Sequence, residues 1–390
     1  MRLLLPLLAL SAVLSLPAAA APPEVDTHIL NAIQAIWAMD FSASEASLEK
    51  AKAALPEYPY PYFGQANVTW LRYVYGSQRT DTALQKKFEG EVEQAVAAAE
   101  TWLRAHPRDA EGYLALSGSY GLRARLATIQ KRWLRALLDG RKAVKFTRQA
   151  HRLDPELHDA LLGAGMYDYY ADSLPRTVKF FSKLILGGDR ERGIRSLKTV
   201  AEKGRYAKIA AQLLLIEVYT EDRWGARDPA EAVRIIQALR TRFPKSPVFH
   251  KIEQVCLYEA ERYDEVSASA REYTRRIDDG WAYYLPQDRA RMCVTEGTAR
   301  FAQNRLEPAH DAYQRAGALA GTAEKPERWG VWGLVRLGQV RDLLNRRPEA
   351  LQAYGAAGGF ADIWGFRAAA KRGLRAPHLS SSEVGQLPPP

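Results

Sequence analysis

Gly297, Ala309, Tyr313 and Ala316 recur as Gly338, Ala350, Tyr354 and Ala357 at a constant offset of 41 residues. Helical residues four and seven apart share one face, so each copy sets a small, a large and a small side chain in line. The glycine twelve residues upstream falls on a preceding helix that must pass close to that line. One helix pair cannot bury its apolar face alone, so a chain built on this unit has to stack several of them.

A second relation extends the pattern. A small residue is followed twelve positions later by a proline at Ser44/Pro56, Ala95/Pro107, Ala143/Pro155 and Ala232/Pro244. The small side chain admits a neighbouring helix, and the proline stops its own helix because it lacks an amide donor and clashes with the preceding turn. Strand signals are almost absent, while alanine, leucine and arginine keep helical spacing from Val25 to about Arg375. Taking the small residue of each second helix, or Val266 in its place, units fall at Ser44, Ala95, Ala143, Gly193, Ala232, Val266, Ala309 and Ala350. Their intervals are 51, 48, 50, 39, 34, 43 and 41 residues.

Leu337-Gly338 with Ala350, Tyr354 and Ala357, Tyr263 with Val266, and Phe41 with Ser44, Leu48, Ala51 and Pro56 resemble the tetratricopeptide repeat. Ser44 and Val266 depart from the alanine usual at that point. The resemblance implies an all-α fold, a right-handed α-solenoid of about eight stacked antiparallel helix pairs with a terminal capping helix. It also implies a concave groove that binds other proteins. Long helices or inserted turns must fill the wide intervals of the N-terminal half. Val25 to Pro56 and Ala361 to Arg375 are the expected end caps.

Three segments follow. Arg2, an apolar run from Leu3 to Leu16, Pro17 and Ala18 to Ala21 have the layout of a secretory signal peptide. Residues 1–20 are expected to be removed by a cut after Ala20, since a cut after Ala21 would leave Pro22 first. Residues 21–375 form the repeat domain, and the polar 376–390, ending in Pro388-Pro389-Pro390, is expected to be a disordered tail. An export signal with an alanine and arginine bias points to a bacterial periplasm or cell envelope, or to secretion. The only two cysteines, Cys256 and Cys293, lie 37 residues apart, a spacing that allows a disulfide without requiring one.

The formal charge of +10 is concentrated in the middle of the chain. From Leu122 to Lys208 there are 20 Lys/Arg against 9 Asp/Glu, a net of +11. Arg141, Lys142, Lys145, Arg148 and Arg152 have spacings that put several on one helix face. Lys179 and Lys183 stand one turn apart beside Phe180, Phe181, Leu184 and Leu186. A solvated face is the simple reading of this 131–208 surface, and an anionic membrane or wall polymer is the ligand it would otherwise suit. Nucleic acid is not an expected partner, because export removes the chain from it.

The least repeat-like stretch runs from Gly163 to Arg190. Gly163 and Gly165 permit close helix approach, and Tyr167, Tyr169 and Tyr170 cannot all face one core. Tyr, Trp and Arg carry most protein contacts. Candidate partner-binding residues are therefore Tyr167, Asp168, Tyr169, Tyr170, Asp172, Arg176, Lys179 and Lys183, with Trp329 and Trp332 as groove anchors. Leu186-Gly187-Gly188-Asp189 reads as a turn with Asp189 capping the next helix. Pro56 to Phe63 alternates proline and aromatic residues, which predicts an extended segment at a unit junction.

Catalytic patterns are lacking. The seven histidines show no His-Glu-x-x-His or paired-ligand spacing, and there is no Cys-x-x-Cys, phosphate-binding loop or nucleophile elbow. Asp278 with Asp279 and Glu221 with Asp222 read as solvated turn residues or caps. The expectation is a non-catalytic scaffold without cofactor or metal, binding an acidic protein or peptide.

Overall fold

A computed structural model describes residues 21–76, 81–172, 188–223, 225–362 and 365–379. They contain seventeen α-helices and no strand, only an isolated bridge between Gly321 and Pro326. The chain divides into two compact units, Met1–Ile36 with Phe41–Ile209 and Trp37–Asp40 with Ala210–Pro390.

The first unit contains α1 (Pro23–Trp37), α2 (Phe41–Ala54), α3 (Pro59–Leu71), α4 (Thr82–Ala105), α5 (Ala110–Ile129), α6 (Trp133–Leu153), α7 (Ala160–Asp172) and α8 (Arg190–Lys203). They pair in chain order, and the small residues named by spacing lie where helices meet. Ser44 on α2 is fully buried, and its hydroxyl donates to the Ala32 carbonyl of α1 at 3.0 Å, so serine replaces alanine without leaving a bare polar atom. Ala95 on α4 is likewise buried, whereas Ala143 on α6 is half-buried. Gly193 on α8 meets Gly165 on α7 so closely that a Cβ would lie 2.7 Å from the Gly165 carbonyl oxygen. The wide N-terminal intervals are filled by long helices, 24, 20 and 21 residues in α4, α5 and α6.

The second unit contains α9 (Lys208–Glu221), whose first two residues belong to the first, then α10 (Pro229–Arg242), α11 (Pro247–Glu259), α12 (Tyr263–Asp278), α13 (Asp288–Ala302), α14 (Leu306–Gly317), α15 (Arg328–Leu343), α16 (Arg347–Gly358) and the capping α17 (Phe366–Arg375). The repeated quartet does what its spacing predicts. Ala309, Tyr313 and Ala316 on α14, and Ala350, Tyr354 and Ala357 on α16, are buried, with each tyrosine ring against the glycine of the preceding helix. Tyr354 Oη donates to Asp342 Oδ2 at 2.9 Å, and Tyr313 Oη lies 3.1 Å from Thr298 Oγ1.

Five of the helix pairs share a turn that the sequence does not announce. Three residues link α1 to α2, α5 to α6, α11 to α12, α13 to α14 and α15 to α16. The central one, Met39, Lys131, Glu261, Asn304 or Asn345, takes a positive φ between 57° and 64°. In four of them the next residue, Arg132, Arg262, Arg305 or Arg346, donates its amide five residues back into the finished helix, as a left-handed C-terminal cap does.

The prolines stop helices as expected: α2, α4, α6 and α10 end two residues before Pro56, Pro107, Pro155 and Pro244. The 56–63 segment is a correction. It is not extended throughout, because α3 begins at Pro59 and carries Pro61 in its first turn. First-turn amides have no intrahelical acceptor, so two prolines cost nothing there and supply the helical φ. Tyr58 and Tyr60 pack inward against Trp102. Asp189 caps α8, with Oδ1 accepting from the Arg192 amide at 2.9 Å. The expected signal segment 1–20 and residues 380–390 of the expected tail lie outside the described residues.

Candidate functional site

The orientation of α6 is fixed by its polar inner face. Asp139 is buried and accepts from Arg123 Nε at 3.0 Å and Nη2 at 2.9 Å. Arg123 also grips Glu93 of α4 at 2.8 Å. Thr147 Oγ1 donates to the Ala160 carbonyl at 2.8 Å, and the Ala143 carbonyl accepts from Ser117 Oγ at 2.8 Å. The opposite face therefore points to solvent, and its first two turns are apolar: Trp133 is 64% exposed, Leu134 71%, Leu137 46% and Leu138 51%. At about 100° per residue these four span an arc of about 140°, and Arg141, Lys145, Arg148 and Arg152 continue the same arc toward the C-terminus. All four cations are exposed.

Trp133, Leu134, Leu138, Arg132, Arg141 and Lys142 border an open groove of about 840 Å³. Lys142 stands 4.9 Å from the Tyr120 ring centroid, and among the described residues Arg132, Arg141 and Lys142 form no ion pair. Sequence reasoning found the basic half of this face and missed the apolar half. Trp133-Leu134 and Leu137-Leu138 keep the spacing of a buried stripe, and only the placement of Asp139 and Thr147 turns them outward.

The tyrosine segment meets this helix. Arg148 of α6 lies over the Tyr167 ring of α7 at 5.7 Å, which joins the two regions that the sequence singled out separately. Asp168 is buried, and its carboxylate accepts both Arg192 Nε and Nη2 of α8 at 2.7 Å, so it ties α7 to α8 rather than facing a partner. Tyr169 is buried and Tyr167 half-buried, while Tyr170 is 39% exposed with its ring edge-on to Tyr169. Asp172 ends α7, and its side chain, like Arg176, Lys179 and Lys183, lies outside the described residues.

Trp329 and Trp332 are corrected as groove anchors. Trp329 is buried in the core between α13, α14 and α15, with Arg291 over its ring at 4.9 Å. Trp332 is half-buried against Phe366 of the capping helix. Both lie on a first helix, as expected, but the core takes the apolar surface of Trp329 and the end cap that of Trp332.

Cys256 and Cys293 are both free, and burial pushes the Cys256 thiol up to about 12. Among the described residues no group of three or more His, Cys, Asp or Glu could hold a metal ion, and no helix is long and apolar enough to cross a membrane.

Stacked helix pairs closed by a small–aromatic–small face define an all-α repeat protein with tetratricopeptide-like units. The chain is similar to a tetratricopeptide repeat protein from Parabacteroides merdae ATCC 43184, at 15% identity over 80% of this chain and 100% of that one, with a TM-score of 0.34. It is similar to yeast Tom70 at 11% identity over 88% and 86% of the two chains, with a TM-score of 0.39. It is also similar to human IFIT1, solved as a dimer with m7Gppp-AAAA, at 15% identity over 90% of each chain and a TM-score of 0.37. No family model and no curated protein matches the chain.

Proposed function

We propose that this protein is a non-catalytic repeat scaffold of a bacterial envelope, exported by its N-terminal signal, that binds an acidic protein or peptide through the outer face of α6 and the tyrosines beside it. The observation that carries this reading is the exposed run of Trp133, Leu134, Leu137 and Leu138 continued by Arg141, Lys145, Arg148 and Arg152. Contiguous apolar side chains on a surface mark contact sites, and burying each contributes about 1.5–3 kcal/mol before ordering costs. The complementary partner is an amphipathic segment with apolar side chains at one end and carboxylates at the other. Charge attraction then speeds association and makes it weaken with salt.

A second reading, an anionic membrane or wall polymer, is favoured by the same juxtaposition of tryptophan, leucine and cations. One experiment separates the two. A photo-crosslinking side chain at position 134 is irradiated in intact cells of the native host, with and without Arg141→Glu and Arg148→Glu, and the purified protein is floated with phosphatidylglycerol vesicles. An acidic protein crosslinked by the parent and lost from the double variant supports the scaffold. Flotation without a protein crosslink supports the lipid reading. Neither crosslink nor flotation overturns α6 as the site.

A further inference from the structure

The backbone nitrogen of Ala21 lies 3.3 Å from Glu111 Oε2. Glu111 stands in the first turn of α5, is buried, and accepts the Tyr58 hydroxyl on the same oxygen at 2.5 Å. Ala21 itself packs against the cluster of Tyr58, Tyr60 and Trp102. A carboxylate in such surroundings needs a cation, and burial, the main cause, pushes the Glu111 carboxyl up.

The groups around Glu111 leave that need open. Asp109 accepts Trp102 Nε1 at 2.5 Å and the Glu111 amide at 3.0 Å, with His106 stacked on the Trp102 ring. Asp159 accepts the amides of Arg205, Tyr206 and Ala207 at 3.0, 3.1 and 2.7 Å. Asp26 of α1 accepts the Tyr206 hydroxyl and pairs with the Arg205 guanidinium. Arg205 Nη1 is thereby held 4.0 Å from Glu111 Oε1. Among the described residues Asp26 and Glu111 thus share the Arg205 guanidinium, and Asp26 holds it the closer. The Tyr60 hydroxyl is buried in the same cluster, under the field of Glu111 and Asp159, and has no hydrogen-bond partner among the described residues. An orphaned hydroxyl beside an under-neutralised carboxylate marks a place for a group with several donors and a positive charge.

We propose that Glu111 is the receiving carboxylate for the α-ammonium group created on Ala21 by cleavage after Ala20, so that processing adds an ion pair tying the first helix pair to α5. The inference rests on the export reading. Hydrolysis of the Ala20–Ala21 peptide bond places the hydroxyl of water on the Ala20 carbonyl carbon and its proton on the Ala21 nitrogen. That amine takes a further proton from solvent at neutral pH, while the new Ala20 carboxyl releases one. One amide donor without charge becomes an ammonium with three donors, on a nitrogen that already lies within reach of Glu111 Oε2.

The test uses the chain from Ala21 to Pro390, made with Ala21 as first residue, and a second form carrying one extra glycine before it. The chain is 13C-labelled at alanine, and the unmodified Ala21 α-amine is titrated by NMR through the Ala21 Cα and Cβ shifts. The Ala21 amine is expected to titrate above the ordinary α-amine range of about 7.7–8.0. Glu111→Gln, which keeps an acceptor for Tyr58, and the glycine extension should both return it to the ordinary range. The Ala21-first form should melt above the extended form at pH 7, with the gap closing in Glu111→Gln. An ordinary amine titration in the Ala21-first form overturns the ion pair even if every variant folds. Intact mass of the protein exported by the native host reads the export step separately: a first residue other than Ala21 overturns the processing step, whatever the titration shows.

Discussion

The ring of Tyr354 on α16 presses on Gly338 of α15 so closely that a Cβ there would lie 2.5 Å from the ring Cε1. The same ring also covers Gly373 of the capping helix, so one tyrosine holds the last pair and its cap together. Tyr313 on Gly297 repeats the arrangement one unit earlier, with a Cβ 2.7 Å from its Cε1.

Gly338→Ala is therefore expected to destabilise the second unit. Overpacking costs about 1–3 kcal/mol, and the gain in helix propensity, at most about 1 kcal/mol, does not cover it. Gly355→Ala supplies the control, since position 355 is exposed in α16 and a Cβ there meets nothing within 4 Å. That change should stabilise by about 0.5–1 kcal/mol. Urea unfolding of both variants should give opposite signs; the same sign would show that Tyr354 yields readily.

The left-handed turns make a separate prediction. Glu261 has φ 59° at the centre of its turn, a region that costs a side-chain-bearing residue about 1–2 kcal/mol. Glu261→Gly should raise stability by about 1 kcal/mol, while Asn345→Gly at φ 60° should gain less because asparagine tolerates this region. Thermal melts of the two single variants check the order.

His250 sets a pH dependence. Its ring is fully buried, and burial with Arg240, Arg276 and Lys251 nearby pushes its pKa down from 6.5 to about 2. Glu272 lies 3.9 Å from Nε2, and Tyr284 Oη lies 3.2 Å from Nδ1; neither offsets the burial and the three cations. The imidazole is neutral when folded and takes a proton on unfolding below its ordinary pKa, so its contribution to stability is complete above about pH 6.5 and is lost as pH falls toward 2. Between about pH 6 and 4 the unfolding free energy of the parent should fall more steeply than that of His250→Gln, approaching about 1.4 kcal/mol per pH unit. Parallel slopes in guanidinium titrations would mean that His250 charges in the folded state.

The sequence by itself determined the helical repeat. Spacing settles which residues can share a helix face, and the small–aromatic–small quartet leaves room for little except a second helix. The eight unit positions from Ser44 to Ala350 accordingly each fall on the second helix of a pair. Asp189 as a cap and the four helix-stopping prolines were legible for the same reason, because each acts within one turn of its own backbone.

Tertiary structure decided the rest. Whether Trp133 and Trp329 face solvent or core depends on which neighbour covers them, and periodicity is identical in the two cases. The 59–61 prolines start a helix rather than an extended strip because the buried Tyr58 and Tyr60 anchor that turn against Trp102. The positive φ of Lys131 or Glu261 is imposed by the antiparallel return of the next helix, not by the residue's own preference. Glu111 meets Ala21 across 90 residues of sequence, a juxtaposition that local pattern does not carry.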